Sequence, residues 1–300
     1  MKKRMMAILC AAGMLVSMTA CGAAKPADVA GAATDAAATD AAVATDTSAA
    51  TDTADAAGAT IDLGDAKFLT EGVLNVGAEV GYPPFEDFAE DGTTPIGYDI
   101  DIITAVADKL GLDVNIINTA WDGIFAGIGV NYDVACSAVT ITPERKETML
   151  FSDPYINNYQ AVVLPADSDK TISSFNDLDG MTIALQKETT SDILMSDYKS
   201  TGTIDIQIVA NEKITSCFTQ LQNGEVDAVV VDSTVADGFI NSSDAFKIAY
   251  EDQEEAEQFG IAMAKENTGL QKAINQALKE LEEEGFIEES YNYWFGSAAE

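Results

Sequence analysis

The chain has 300 residues, 47% of them hydrophobic, so one or two domains with a proper core fit its length. Lys and Arg number 16 against 50 Asp and Glu, a formal net charge of −34 that excludes a nucleic-acid partner and repels an anionic lipid surface. Histidine is absent, which removes the commonest general base, the Ser-His and Cys-His nucleophile systems and every His-ligated metal site, while carboxylate- or lysine-based catalysis stays formally open.

Lys2, Lys3 and Arg4 form a positive start, and Met5 to Met18 is an apolar stretch too short for an ordinary spanning helix. Residues 1–20 therefore read as a secretory signal. The stretch ends in Met18-Thr19-Ala20-Cys21, which resembles the lipobox of bacterial lipoproteins with Met18 in place of the more usual Leu. That resemblance implies a diacylglycerol on the Cys21 thiol, with Cys21 first in the mature chain. A diacyl anchor plus amino-terminal acylation holds a protein stably on the extracytoplasmic face of the cell membrane. From Gly22 to about Thr60 the chain is Ala, Thr and Asp in a loose repeat that cannot bury enough apolar surface to fold. Residues 21–65 are thus expected to act as a tether, with a reach of about 35 Å for ~40 flexible residues.

From about Ala66 short strands alternate with helices. Val73 to Val76 and Val114 to Ile117 are β-rich runs, and between them Ile103, Val106, Ala107 and Leu110 fall at helical spacing with Gly111 placed as C-cap. A short helix is expected at Ile124–Ile128, a strand at Val134–Val139, and a helix opened by Thr142 as N-cap with Pro143 at its first position. Further strands are predicted at Ala161–Leu164, Thr182–Leu185, Ile204–Val209, Val226–Val231, Lys247–Tyr250 and Ile261–Ala264, with helices at Ile214–Leu221 and Leu270–Leu281. This rhythm predicts α/β architecture with mainly parallel sheets. Cys136 and Cys217 share no spacing signature and read as two buried free thiols rather than a disulfide.

Several segments carry a more specific signal. They are Gly97-Tyr98-Asp99-Ile100-Asp101-Ile102, Gly81-Tyr82-Pro83-Pro84-Phe85-Glu86, Ile141-Thr142-Pro143-Glu144-Arg145, Phe151-Ser152-Asp153-Pro154-Tyr155, the run from Val226 to Asp232, and Trp294-Phe295-Gly296. In this order and spacing the folded region resembles the polar-amino-acid solute-binding family of ABC importers. The resemblance implies a two-lobed, periplasmic-binding-protein-like clamp with hinge crossovers near 156–160 and 258–261. Lobe one would be 66–157 plus 261–300, and lobe two 158–260. A free amino acid would lie between them, at the carboxyl ends of strands and amino ends of helices. The expected partners are that amino acid and the membrane subunits of an ABC permease, with the protein a monomer and no cofactor or metal implied.

A free amino acid presents one carboxylate and one ammonium, so its site needs a bidentate cation and an acid. By resemblance Arg145 takes the ligand carboxylate, its planar fork suiting that group better than a lysine. Thr140 assists it, and Ser137 more weakly. Asp232 takes the ammonium; it ends an apolar strand, where an acid either serves the ligand or caps the next helix. Gln186 and Thr190 contribute from lobe two, Thr190 at a helix amino terminus that contacts the carboxylate. Glu188 stands where the family has Gly, which puts the local backbone in question. Glu79, Tyr82 and Trp121 align with residues that touch the ligand side chain, Trp121 as an aromatic face and Glu79 as partner for a distal cation. The acidic run Glu251–Glu257 reads as a solvated loop or helix face.

Two other classes stand beside this reading. One is a dehydratase-like enzyme on the same fold, with Glu79 as its acid or base. The other is a ligand-sensing lobe, for which a transmembrane helix and signalling domain are expected, and none follows Trp294-Phe295-Gly296.

Overall fold

The computed structural model describes residues 61–296. The signal, Cys21 and the tether as far as Thr60 lie outside the described residues. Residues 61–65, read as the end of the tether, belong to the packed chain: the Ile61 amide donates to the Lys109 carbonyl at 3.2 Å, and Ile61 and Leu63 rest on the core.

Two five-stranded sheets organise the fold. In the first, Val73–Ala78 pairs in parallel with Asp113–Asn118 on one side and Val134–Ala135 on the other. The helix Tyr98–Leu110 links the first pair, burying Ile102, Ile103, Val106, Ala107 and Leu110. Gly111 ends it at φ 68, its amide donating to the Ala107 and Asp108 carbonyls, a conformation that costs a residue without a β-carbon little. Ala262–Ala264 and Met149–Phe151 complete the sheet, both in antiparallel pairings. The second sheet repeats the plan. Gln207–Asn211, Thr182–Gln186 and Ala228–Asp232 are parallel, and Gln160–Pro165 and Phe246–Glu251 follow antiparallel.

Each sheet is therefore mixed, where mainly parallel sheets were expected. The reason lies in the crossovers. The parallel strands end at the cleft, whereas Gln160–Pro165 and Ala262–Ala264 begin there, just after the chain has changed lobes, and so run the other way. The crossovers themselves pair antiparallel, Ile156–Asn158 with Glu257–Phe259.

Two local expectations also shift. In place of a helix at Ile124–Ile128 there is one 3₁₀ turn at Trp121–Gly123. The Tyr132 hydroxyl donates to the Ile124 carbonyl at 2.5 Å, and its ring lies so close to Gly127 that any β-carbon there would collide with it, so the segment wraps a tyrosine instead of coiling. Val134–Ala135 ends four residues earlier than predicted, the chain turning at Ala138, which takes φ 46, and the strand expected at Ile204–Val209 runs from Gln207 to Asn211.

The terminal motif closes the first lobe. Phe85 lies 5.4 Å from Phe259 and 5.3 Å from Phe295, Tyr98 lies 5.3 Å from Phe295, and the Trp294 indole N–H donates to Asp101 at 2.6 Å. The motifs around Phe85, Tyr98 and Trp294 thus pack as one aromatic cluster, in which each ring pair adds about 0.5–1.5 kcal/mol beyond the area it buries. Cys136 and Cys217 are buried free thiols.

Candidate ligand-binding site

One cavity lies between the sheets and draws on the ends of their parallel strands. Glu79 follows Val73–Ala78, Gln186 ends Thr182–Gln186 and Asp232 ends Ala228–Asp232. All nine residues singled out from sequence line it: Glu79, Tyr82, Trp121, Ser137, Thr140, Arg145, Gln186, Thr190 and Asp232, together with Ala138 and Thr189.

Arg145 is aimed by its helix. Thr142 caps Pro143–Thr148 by accepting the Arg145 amide at 3.2 Å, and Arg145 Nη1 donates to the Thr140 carbonyl at 2.8 Å. The guanidinium sits 4.9 Å from the Phe125 ring centre and 5.5 Å from that of Trp121, within cation–π range. Among the described residues it forms no salt bridge, so it is not the surface ion pair a helical arginine often makes. Burial lowers its pKa, and the negative charges of Glu257 and Asp232 oppose that shift. Trp121 is likewise buried yet faces the cavity, its indole N–H without a partner.

Asp232 directly precedes the helix Ser233–Ser242 but does not cap it. Its carboxylate turns into the cleft and accepts from the Tyr82 hydroxyl at 2.5 Å, Asn158 Nδ2 at 2.7 Å and Gln160 Nε2 at 3.0 Å. All three donors are neutral. Burial, and then the neighbouring Glu257 charge, push its pKa up to about 7. A cation arriving here would supply the counter-charge that the neutral donors do not.

At the other end of the cavity Gln186 Nε2 donates to Glu79 at 2.7 Å and to the Glu212 carbonyl at 3.0 Å, while Gln186 Oε1 is buried without a partner. Burial raises the Glu79 pKa. Ser137 accepts the Glu79 amide at 3.0 Å and donates to buried Glu86. Below it, Asp99 accepts the Ala138 amide at 2.6 Å and the Tyr155 hydroxyl at 2.8 Å. These buried acids hold the floor of the site. Glu188 takes φ 61, the left-handed backbone its position demands, and its amide donates to Asp192 at 2.8 Å.

Besides Ala138 and Thr189, three residues at the cleft stand outside the nine: Asn158, Gln160 and Glu257. Glu257 corrects the expectation of a solvated acidic run. It lies on the hinge strand and accepts from Thr140 Oγ1 at 3.1 Å, Thr190 Oγ1 at 3.2 Å and Gln160 Nε2 at 3.2 Å. The signal was a period of two. Phe259 is fully buried, and a strand places residues two apart on one face, so Glu257 turns inward too.

The model of the bacterial extracellular solute-binding proteins, family 3, matches residues 74–297. The chain belongs to this family. Its match to the ABC transporter arginine-binding protein 1 of Escherichia coli is 27% identical over 227 residues, covering 74% of this chain and 90% of that one. A mutant of ArgBP from T. maritima superposes with a TM-score of 0.69 at 37% identity, covering 75% of this chain and 95% of that one. An ancestral amino-acid-binding protein described as a precursor of cyclohexadienyl dehydratase gives 0.69 at 31% identity, covering 75% and 96%. Family 3 membership and these neighbours account for the two-lobed α/β architecture, with the cleft where its strands end.

Proposed function

We propose that the protein captures a free polar or basic L-amino acid between its lobes and hands it to an ABC permease, catalysing nothing. The observation that carries this is the pairing of opposite charges in one cavity. Arg145 forms no salt bridge among the described residues, Asp232 is held only by neutral donors, and both line the same space. An α-carboxylate on Arg145, Thr140 and Thr190 and an α-ammonium on Asp232 would complete both ends. Glu79, with Trp121 beside it, favours a side chain ending in a cation, and relatives are named for arginine, histidine or cystine. Lobe one, 66–157 plus 261–300, and lobe two, 158–260, each hold part of the charge, so the ligand favours closure. A secretory signal and lipidated Cys21 would hold this monomeric clamp near its permease on the extracytoplasmic face.

A dehydratase-like activity has two observations in its favour: an ancestral neighbour is described as an enzyme precursor, and burial raises the Glu79 pKa. Thermal-shift screening of the twenty L-amino acids, followed by mass spectrometry of the recovered ligand, separates the readings. Stabilisation by a basic or polar amino acid recovered unchanged supports the binding protein. A recovered compound whose mass differs from that of the amino acid added supports an enzyme, and stabilisation only by apolar or acidic amino acids contradicts the specificity.

A further inference from the structure

Thr140 and Thr190, the two hydroxyls proposed to meet the ligand carboxylate, already donate to a carboxylate of the protein. Both reach the same oxygen, Glu257 Oε2, at 3.1 and 3.2 Å. A hydroxyl has one proton to donate, so neither threonine can serve Glu257 and a ligand carboxylate at once. Two carboxylates beside a single guanidinium also repel one another. Glu257 is only half-buried, and it lines a second groove that shares Arg145 and Thr190 with the ligand cavity. It lines the outer groove while its carboxylate reaches the Thr140 and Thr190 hydroxyls of the inner cavity, with room to withdraw outward.

We propose that the Glu257 carboxylate is the protein's own occupant of the carboxylate subsite, and that an incoming amino acid must displace it, so that Glu257 sets affinity for ligands that carry a carboxylate. This rests on the proposed amino-acid function. Because Thr140 and Thr190 come from opposite sides of the cleft and Glu257 from the strand between them, the same contacts tie the two sides together at the hinge. A ligand with the ammonium and side chain but no carboxylate leaves Glu257 where it is. Removing the Glu257 charge therefore helps amino acids and not the corresponding amines.

The test is calorimetric titration of L-arginine, and of its decarboxylated counterpart agmatine, into wild-type protein, Glu257→Ala and Glu257→Gln. The isosteric Gln variant decides if the Ala variant fails to fold. L-arginine should bind at least about tenfold tighter to Glu257→Ala and about threefold tighter to Glu257→Gln, with agmatine no tighter to either than to wild type. Unchanged or weaker L-arginine binding in both variants, beside a wild type that binds it, makes Glu257 a hinge strut and overturns this inference alone. Equal tightening of agmatine overturns it as well. If neither wild type nor variants bind any of the twenty L-amino acids, the proposed function falls, and this inference with it.

Discussion

Tyr82, from the first sheet's side of the cleft, donates its hydroxyl to Asp232, at the end of a strand of the second, at 2.5 Å. The bond crosses the cleft, so it exists only while the clamp is closed. It also holds the Asp232 carboxylate toward the cavity rather than toward the helix it precedes. Tyr82→Phe keeps the ring and removes the donor. A hydrogen bond to a charged group contributes about 1.5–3 kcal/mol, and Asn158 and Gln160 remain to share the loss. We expect L-arginine binding to weaken by about fivefold to tenfold in calorimetric titration, with the fold intact; unchanged affinity would mean that the bond plays no part in closure.

Acidity should act in opposite directions on the empty and the filled protein. Burial pushes Asp99 and Asp232 up to about 7, Asp232 also feeling Glu257. An unfolded Asp titrates near about 3.9, so between about pH 4 and 7 each group holds more proton folded than unfolded. Its stabilising contribution is present at low pH and lost as pH rises through 7. The melting temperature of the ligand-free protein should therefore fall from pH 5 to pH 8. An ammonium ligand needs Asp232 charged, so at pH 6 binding should release a proton, read as a dependence of binding heat on buffer ionisation enthalpy. A ligand-free melting temperature that climbs from pH 5 to pH 8 would contradict this account of the buried acids.

Glu188 pays for its place in the backbone. At φ 61 a residue with a β-carbon costs about 1–2 kcal/mol relative to the right-handed form, a cost Gly escapes, though Gly loses more entropy on folding. Glu188→Gly should leave a net gain of about 0.5–1 kcal/mol, a rise of roughly 1–4 °C in melting temperature. A lower melting temperature would show that the Glu188 side chain contributes more than its backbone costs.

The sequence carried the charge anchors because each has a local reason to be where it is. Thr142 and Pro143 start the helix that aims Arg145, and the unbroken run from Ala228 to Val231 delivers Asp232 to the strand end. Gly111 marked the end of the first long helix for the same kind of reason. What local pattern could not carry was long-range. The mixed sheets follow from a chain that changes lobes twice, and Glu257 follows from the pairing of two hinge strands about a hundred residues apart. Charge density hid Glu257 further, since four acids precede it within six residues, Glu251, Asp252, Glu254 and Glu255. Only the buried Phe259 two positions on marks the inward face.

Calorimetric titration of L-arginine into wild type, Arg145→Ala and Asp232→Ala puts both charge anchors to the test. If the cavity is a charge-matched amino-acid site, wild type binds one ligand per chain. Each variant then binds at least about tenfold to a hundredfold more weakly, roughly 1.4–2.8 kcal/mol, while keeping its circular dichroism spectrum. Wild-type affinity in either folded variant would contradict the assignment of Arg145 to the carboxylate or Asp232 to the ammonium.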